Sequence, residues 1–224
     1  MLQQLVPGAI WYTQRALDFG PLRLTTRMTV VRLADGSLWV HSPVPPDPAL
    51  RAALDALGPV AWVVAPNRSH HLFFRAFMAA YPDARGFVAP GLGQKVPALR
   101  DYPELGGEAP WQADLQGYFI HGLPVLNETV WFHPASGTLL LTDLLFCFGA
   151  DNGRLTSFVA ALLGVRGRLG MSRTMKWMVR DKASFRASVA PVRTLPVQRV
   201  LVAHDSVIDQ QAPQQLAAAF QWLD

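Results

Sequence analysis

The chain has a single cysteine, Cys147, among its 224 residues. An internal disulfide and a thiolate-rich metal site are both excluded, so any metal must be held by His, Asp or Glu. Charge is scarce too: charged side chains make up 16% of the sequence, and 20 basic against 16 acidic residues leave a formal net charge of +4. That excess is too dilute to argue for a nucleic-acid partner. No apolar run approaches the roughly 18 residues of a membrane span. The opening "MLQQLVPGAIWY" lacks the basic start and long apolar core of a secretory signal. The expectation is a cytoplasmic protein without a membrane span. The most apolar helical stretch, "SFVAALLGV" from Ser157 to Val165, has half the needed length and reads as a buried or lid helix. No short repeat or low-complexity tract marks a boundary, so one domain over residues 1–224 is expected.

What is present is a strand-rich order of elements. "AIWYT" (Ala9 to Thr13), "LRLTTRMTVVRL" (Leu22 to Leu33) and "SLWVHS" (Ser37 to Ser42) read as strands, and Asp35-Gly36 between the last two signals a hairpin. "PALRAALDALG" has Leu50, Leu54 and Leu57 at helical spacing with a stop at Gly58. "VAWVVA", Val60 to Ala65, is continuously apolar, as a strand buried on both faces should be. It leads into "PNRSHHLFF", then a helix over "HLFFRAFMAAYP", a strand over "ARGFVAP" and a turn of helix in "PGLGQKVPAL". After the loop "RDYPELGGEAPWQ" come strands at "GYFIHG", "ETVWFHP" and "GTLLLTD", helical material from about Leu155 to Val189, the strand "QRVLVAH" and a closing helix "APQQLAAAFQWL". Two β-rich halves, each followed by helices, suggest two sheets covered by helices.

Six histidines occur: His41, His70, His71, His121, His133 and His204. "VVAPNRSHH" follows a buried strand, "LLLTD" puts Asp143 at a strand end, and "VLVAHD" does the same for His204. Ligands collect at such ends, because the strand fixes the base of a residue while the loop opens a crevice.

Taken together, "TRMTVVRL", "DGSLWVHSP", "VAPN", "HHLFF", "APGL", "VWFH", "TLLLTDL" and "AH", in this order from Trp11 to His204, resemble an uncharacterised group with the metallo-β-lactamase fold. The resemblance implies an α/β protein of the four-layer αββα sandwich type, hydrolase-like, acting on a small and unidentified substrate. In that superfamily a H-x-[HE]-x-D-H run, a G-H-T turn, an Asp ending a later strand and a final His hold one or two metals. Placing "HHLFF" on the end of that run gives His71 the position of its last His and His70 that of its Asp. The earlier ligand positions become Pro66 and Arg68, which bind no cation. Asp143 matches the bridging Asp and His204 the final His. The G-H-T turn falls on Leu123, Pro124 and Val125, so its ligand is absent unless a gap brings in His121. The implied site is reduced to one divalent ion, Zn or Fe, held by His71, Asp143 and His204 with His70 as a further ligand. A His70 that is not a ligand stands as a general base.

Each of these residues also has a plainer reading. Asn67 and Ser69 suit a helix N-cap, which by itself accounts for the "PNRSHH" loop. Asp143 can cap the following segment or pair with an Arg, and Glu128 can support the site through hydrogen bonds or serve as a ligand. His133 reads as a turn residue, exposed or bonded to its loop, and His41 as lining the crevice. In "SRTMKWMVRDKASFRASV", Arg173, Lys176 and Arg180 fall at helical spacing opposite Met171, Met175, Met178 and Val179. That face is either solvated or a lid offering cations to an anionic substrate. The rival to a hydrolase is a non-catalytic binding protein that keeps the fold without its metal.

Overall fold

The computed structural model describes residues 1–20, 22–149 and 153–224. The chain forms two compact units: residues 1–15 with 27–114, and residues 16–26 with 115–224.

The first sheet has the order β1 (Gln3–Val6), β2 (Ile10–Phe19), β3 (Leu22–Arg32), β4 (Leu38–His41), β5 (Val60–Ala65) and β6 (Arg85–Val88). The Asp-Gly turn forms as the sequence predicts. Asp35 Oδ1 accepts from Ser37 N at 2.8 Å, Gly36 takes φ +84°, and β3 pairs antiparallel with β4 through Thr29↔His41 and Val30↔Val40. A crossover through α1 (Pro48–Asp55) makes β5 parallel to β4. This helix starts where Asp47 Oδ1 accepts from Leu50 N at 2.8 Å and Pro48 presets φ. It buries Leu50 and Leu54, each worth about 1.5–3 kcal/mol of apolar transfer. The helix α2 (Phe74–Ala80) returns the chain to β6, also parallel, and α3 (Leu92–Lys95) follows. Val40, Val63 and Ala65 share one core with Leu54, Phe74 and Phe77. The alternate residues Trp39 and Trp62 meet Trp111 instead, at ring separations of 6.0 and 5.5 Å. That alternation is why β4 is buried on both faces.

The second sheet has the order β11 (Val207–Ile208), β10 (Arg199–Leu201), β9 (Thr138–Leu140), β8 (Thr129–His133) and β7 (Gln116–Phe119). Its helices are α4 (Arg154–Leu163), α5 (Arg173–Met178), α6 (Lys182–Arg193) and α7 (Ala212–Ala219). Phe132, Leu139 and Val200 pack with Phe185, Val189, Leu216 and Phe220 of α6, α7 and the residue after α7. The continuous basic helix expected beyond Gly170 is two helices. The carbonyl of Gly122 accepts from Arg180 N at 2.8 Å and Asp181 N at 3.3 Å, which holds the chain extended at Val179. Asp181 then caps α6 through Ser184 N at 3.0 Å. Arg180 therefore lies outside the helix that carries Arg173 and Lys176. Among the described residues no helix is long and apolar enough to cross a membrane.

Candidate functional site

The parallel pairing of β9 with β10 sets Leu139 opposite Val200 and Leu140 opposite Leu201. Asp143 and His204 each lie three residues past the last of these pairs, so two strands distant in sequence deliver them side by side. His204 Nε2 lies 3.1 Å from Asp143 Oδ1, and both residues are buried. The other ring nitrogen, Nδ1, is 2.6 Å from the carbonyl oxygen of Thr25. Asp205, at φ +64°, ties the same turn down: its N–H donates to Thr25 Oγ1 at 2.9 Å, and its Oδ2 accepts from Gly149 N at 2.6 Å. The rings of Phe146 and Phe148 lie nearly parallel to the imidazole, with centroids 5.8 and 6.4 Å away.

Glu128, just before β8, fixes the main chain around Asp143. Its Oε1 accepts from Thr142 N at 2.7 Å, and its Oε2 accepts from Asp143 N at 2.9 Å and Leu144 N at 3.2 Å. A buried carboxylate thus satisfies three successive amides where the strand ladder has ended. Both carboxylate oxygens of Glu128 are thus engaged by the main chain around Asp143.

The loop after β5 belongs to the first unit. The buried Asn67 accepts from Ser69 N and His70 N, both at 2.7 Å, through Oδ1. Asn67 therefore closes a local turn and does not cap α2, which starts only at Phe74 and has no side-chain cap. His70 Nδ1 lies 2.7 Å from Ser42 Oγ, and Ser42 takes φ +53° at the end of β4. His71 is half-buried, and burial first, then Lys95 and His70, hold its pKa below the usual imidazole value. Lys95 Nζ donates to the Arg68 carbonyl at 2.6 Å. His41 is buried and stacks on Trp39 at 5.4 Å, and burial and then His70 push its pKa down to about 3.

His121 stands exposed in the turn after β7, its ring edge-on to Phe119 at 4.8 Å. It forms no ligand cluster with Asp143 and His204 among the described residues. His133 is buried and bonded to its own loop, Nδ1 lying 2.8 Å from Ser136 Oγ. Arg173 is exposed at the start of α5, and Lys176 Nζ lies 5.4 Å from the Trp222 ring. Sequence reasoning missed Ser42, Thr25, Phe146 and Phe148. The Thr25 contact is made by a backbone carbonyl, which no residue type announces.

Residues 7–168 match the family model described as Domain of unknown function (DUF4336). No curated protein matches the chain. Among solved structures, a metallo-β-lactamase from Pontibacter korlensis is similar at TM-score 0.66 and 11% identity, covering 99% of this chain and 98% of that one. One from Erythrobacter litoralis is similar at TM-score 0.65 and 15% identity, covering 97% and 94%. The metallo-β-lactamase FIM-1 from Pseudomonas aeruginosa, in a mono-zinc form, is similar at TM-score 0.61 and 12% identity, covering 98% and 93%. The mixed α/β chain with its two sheets has the metallo-β-lactamase fold, as the sequence resemblance implied.

Proposed function

The chain belongs to the family described as Domain of unknown function (DUF4336), a membership that brings no activity with it, and we propose that the protein is hydrolase-like and holds one divalent cation through Asp143 and His204. The double engagement of His204 carries this reading. A carbonyl oxygen only accepts, so the ring proton belongs on Nδ1, facing Thr25. In the neutral ring Nε2 then bears a lone pair, directed at a carboxylate oxygen 3.1 Å away. Two acceptors at that separation repel each other unless a second ring proton or a metal ion joins them. A charge-assisted N–H···O bond is typically about 2.7–2.9 Å long. Two ligands of a tetrahedral ion, with bonds of about 2.0–2.2 Å, stand roughly 3.3–3.6 Å apart. The 3.1 Å separation lies between the two, and a small relaxation brings both atoms to one ion.

His70 and His71 are the further donors that the sequence resemblance implies. Ser42 at Nδ1 of His70 is the kind of outer oxygen that orients a ligating imidazole through its other nitrogen. His70 is therefore proposed ahead of His71, which serves as a further donor. An N/O donor set suits Zn or Fe(II). A divalent ion so held supplies Lewis acidity toward a carbonyl or phosphoryl oxygen. Glu128 keeps the Asp143 carboxylate in place, and Phe146 and Phe148 limit the water around His204.

Pro66 and Arg68, which stand at two positions where the superfamily has ligands, favour a second reading: a binding protein that does no chemistry. Chelator-stripped protein reloaded with Zn or Fe(II) separates the two. Turnover of a p-nitrophenyl ester, bis(p-nitrophenyl) phosphate or a chromogenic β-lactam, abolished by chelator and by Asp143→Ala, supports the hydrolase. No retained metal after reloading and no turnover of any of the three supports the binding protein.

A further inference from the structure

The cations that the sequence offered to an anionic substrate belong to a larger surface. Over residues 153–190 there are eight Lys and Arg and one acidic residue, Asp181, against twelve basic and fifteen acidic residues in the rest of the chain. A chain with a net charge of +4 therefore concentrates its positive charge on α4, α5, α6 and their connections. Arg154, Arg166, Arg168, Arg173, Arg180 and Lys182 are all exposed there. At the C-terminal turn of α4 the guanidinium of Arg168 donates to the Gly164 carbonyl at 3.0 Å. A Cβ built on Gly164 would lie 3.5 Å from that guanidinium and 3.9 Å from Arg173 Nε.

The same segment exposes apolar side chains that the fold leaves uncovered. Leu155 (49% exposed), Phe158 (61%) and Leu162 (54%) follow one another at i, i+3 and i+7 along α4, opposite the buried Thr156, Ser157 and Ala160. Trp177 on α5 is 81% exposed. These are four of the seven large exposed hydrophobics among the described residues. Scattered exposed leucines need no explanation, but a stripe of this kind within the most basic part of the chain does.

We infer that α4 and α5 form a docking surface for an anionic lipid bilayer, with Leu155, Phe158, Leu162 and Trp177 entering the headgroup boundary and the arginines facing the lipid charge. An amphipathic helix with Leu and Phe on one side and cations around it is suited to lie in that boundary, and Trp favours the same depth. A second copy of the chain fits poorly, because a symmetric contact sets like charges against each other. Nucleic acid would use the cations but gives Leu155 and Leu162 no counterpart, since its single-stranded bases stack on aromatic rings. The helices are too short to span a bilayer, so the attachment is peripheral and reversible.

Sedimentation of the full-length protein with vesicles tests this. The probes are phosphatidylcholine alone and phosphatidylcholine with about one-third phosphatidylserine, at about 0.1 M and 0.5 M salt. The protein pellets with the anionic vesicles at low salt and not with phosphatidylcholine. Leu155→Ser, Phe158→Ser, Leu162→Ser together lower partitioning at least about tenfold with the melting temperature unchanged, since all three side chains are exposed. Arg154→Glu with Arg166→Glu lowers it about fivefold or more for each cation removed. No pelleting with anionic vesicles at low salt, or equal pelleting with phosphatidylcholine, overturns the inference. Anionic binding untouched by the triple serine variant also overturns it, in favour of an acidic macromolecule held by charge alone. Concentration-dependent self-association that the same variant abolishes overturns it in favour of a second copy.

Discussion

His204 Nε2 lies 3.1 Å from Asp143 Oδ1 because both residues stand three steps past the paired Leu140 and Leu201 on neighbouring parallel strands. The contact is thus a product of strand register. Its chemistry depends on what lies around it: the Thr25 carbonyl oxygen 2.6 Å from the other ring nitrogen, and a glutamate that fixes the main chain beneath the carboxylate.

Glu128 is the residue whose loss separates support from ligation. Glu128→Ala leaves the amides of Thr142, Asp143 and Leu144 without their acceptor. At about 1–3 kcal/mol for each buried unpaired amide, destabilisation of several kcal/mol is expected in urea unfolding. Glu128→Gln keeps the shape and one acceptor oxygen, so it folds, and its metal affinity falls about tenfold or more through the displaced Asp143. Unaltered affinity in folded Glu128→Gln contradicts the supporting role.

His41 gives stability a dependence on pH. Its Nε2 is buried with no hydrogen-bond partner among the described residues, and its pKa falls from 6.5 to about 3 on folding. Between those two values the unfolded chain carries the proton and the folded chain does not. This contribution to stability is therefore complete above pH 6.5 and is lost as pH falls toward 3, at up to about 1.4 kcal/mol per pH unit. His41→Phe keeps a ring on Trp39 and flattens the acid limb of stability measured by urea midpoints from pH 7 downward. An equally steep limb in the variant contradicts this assignment.

Gly122 joins the turn after β7 to the break between α5 and α6. Its φ of +75° disfavours any side chain, and a Cβ there would collide with the Asp181 carbonyl and press on Phe185. Gly122→Ala is expected to cost about 2–4 kcal/mol in urea unfolding, because both the turn and the start of α6 must shift. A cost under about 1 kcal/mol shows that the break at Val179 is set by something else.

Most of the fold was legible because its signals are local. The Asp35-Gly36 hairpin, the fully apolar β5 and the Leu50, Leu54, Leu57 spacing of α1 with its stop at Gly58 each rest on a few adjacent residues. Asp143 and His204 could be marked as strand-end polar residues, but their pairing needs β9 beside β10, strands separated by some sixty residues. The division of the basic helix was illegible for a similar reason. The carbonyl that holds Val179 extended belongs to Gly122, far back in the chain. The role of Asn67 was misread because an Asx turn and a helix cap use the same side chain on amides two or three residues ahead.

Metal content measures the central claim most directly. Protein purified without added metal, dialysed and analysed by plasma mass spectrometry is expected to carry close to one equivalent of Zn or Fe. Asp143→Ala and His204→Ala are expected to carry less than about a tenth of an equivalent each, since losing one ligand of three or four dismantles the site. Parent protein with less than about a tenth of an equivalent, even after reloading with excess Zn or Fe(II), would contradict the account. So would full occupancy in both variants.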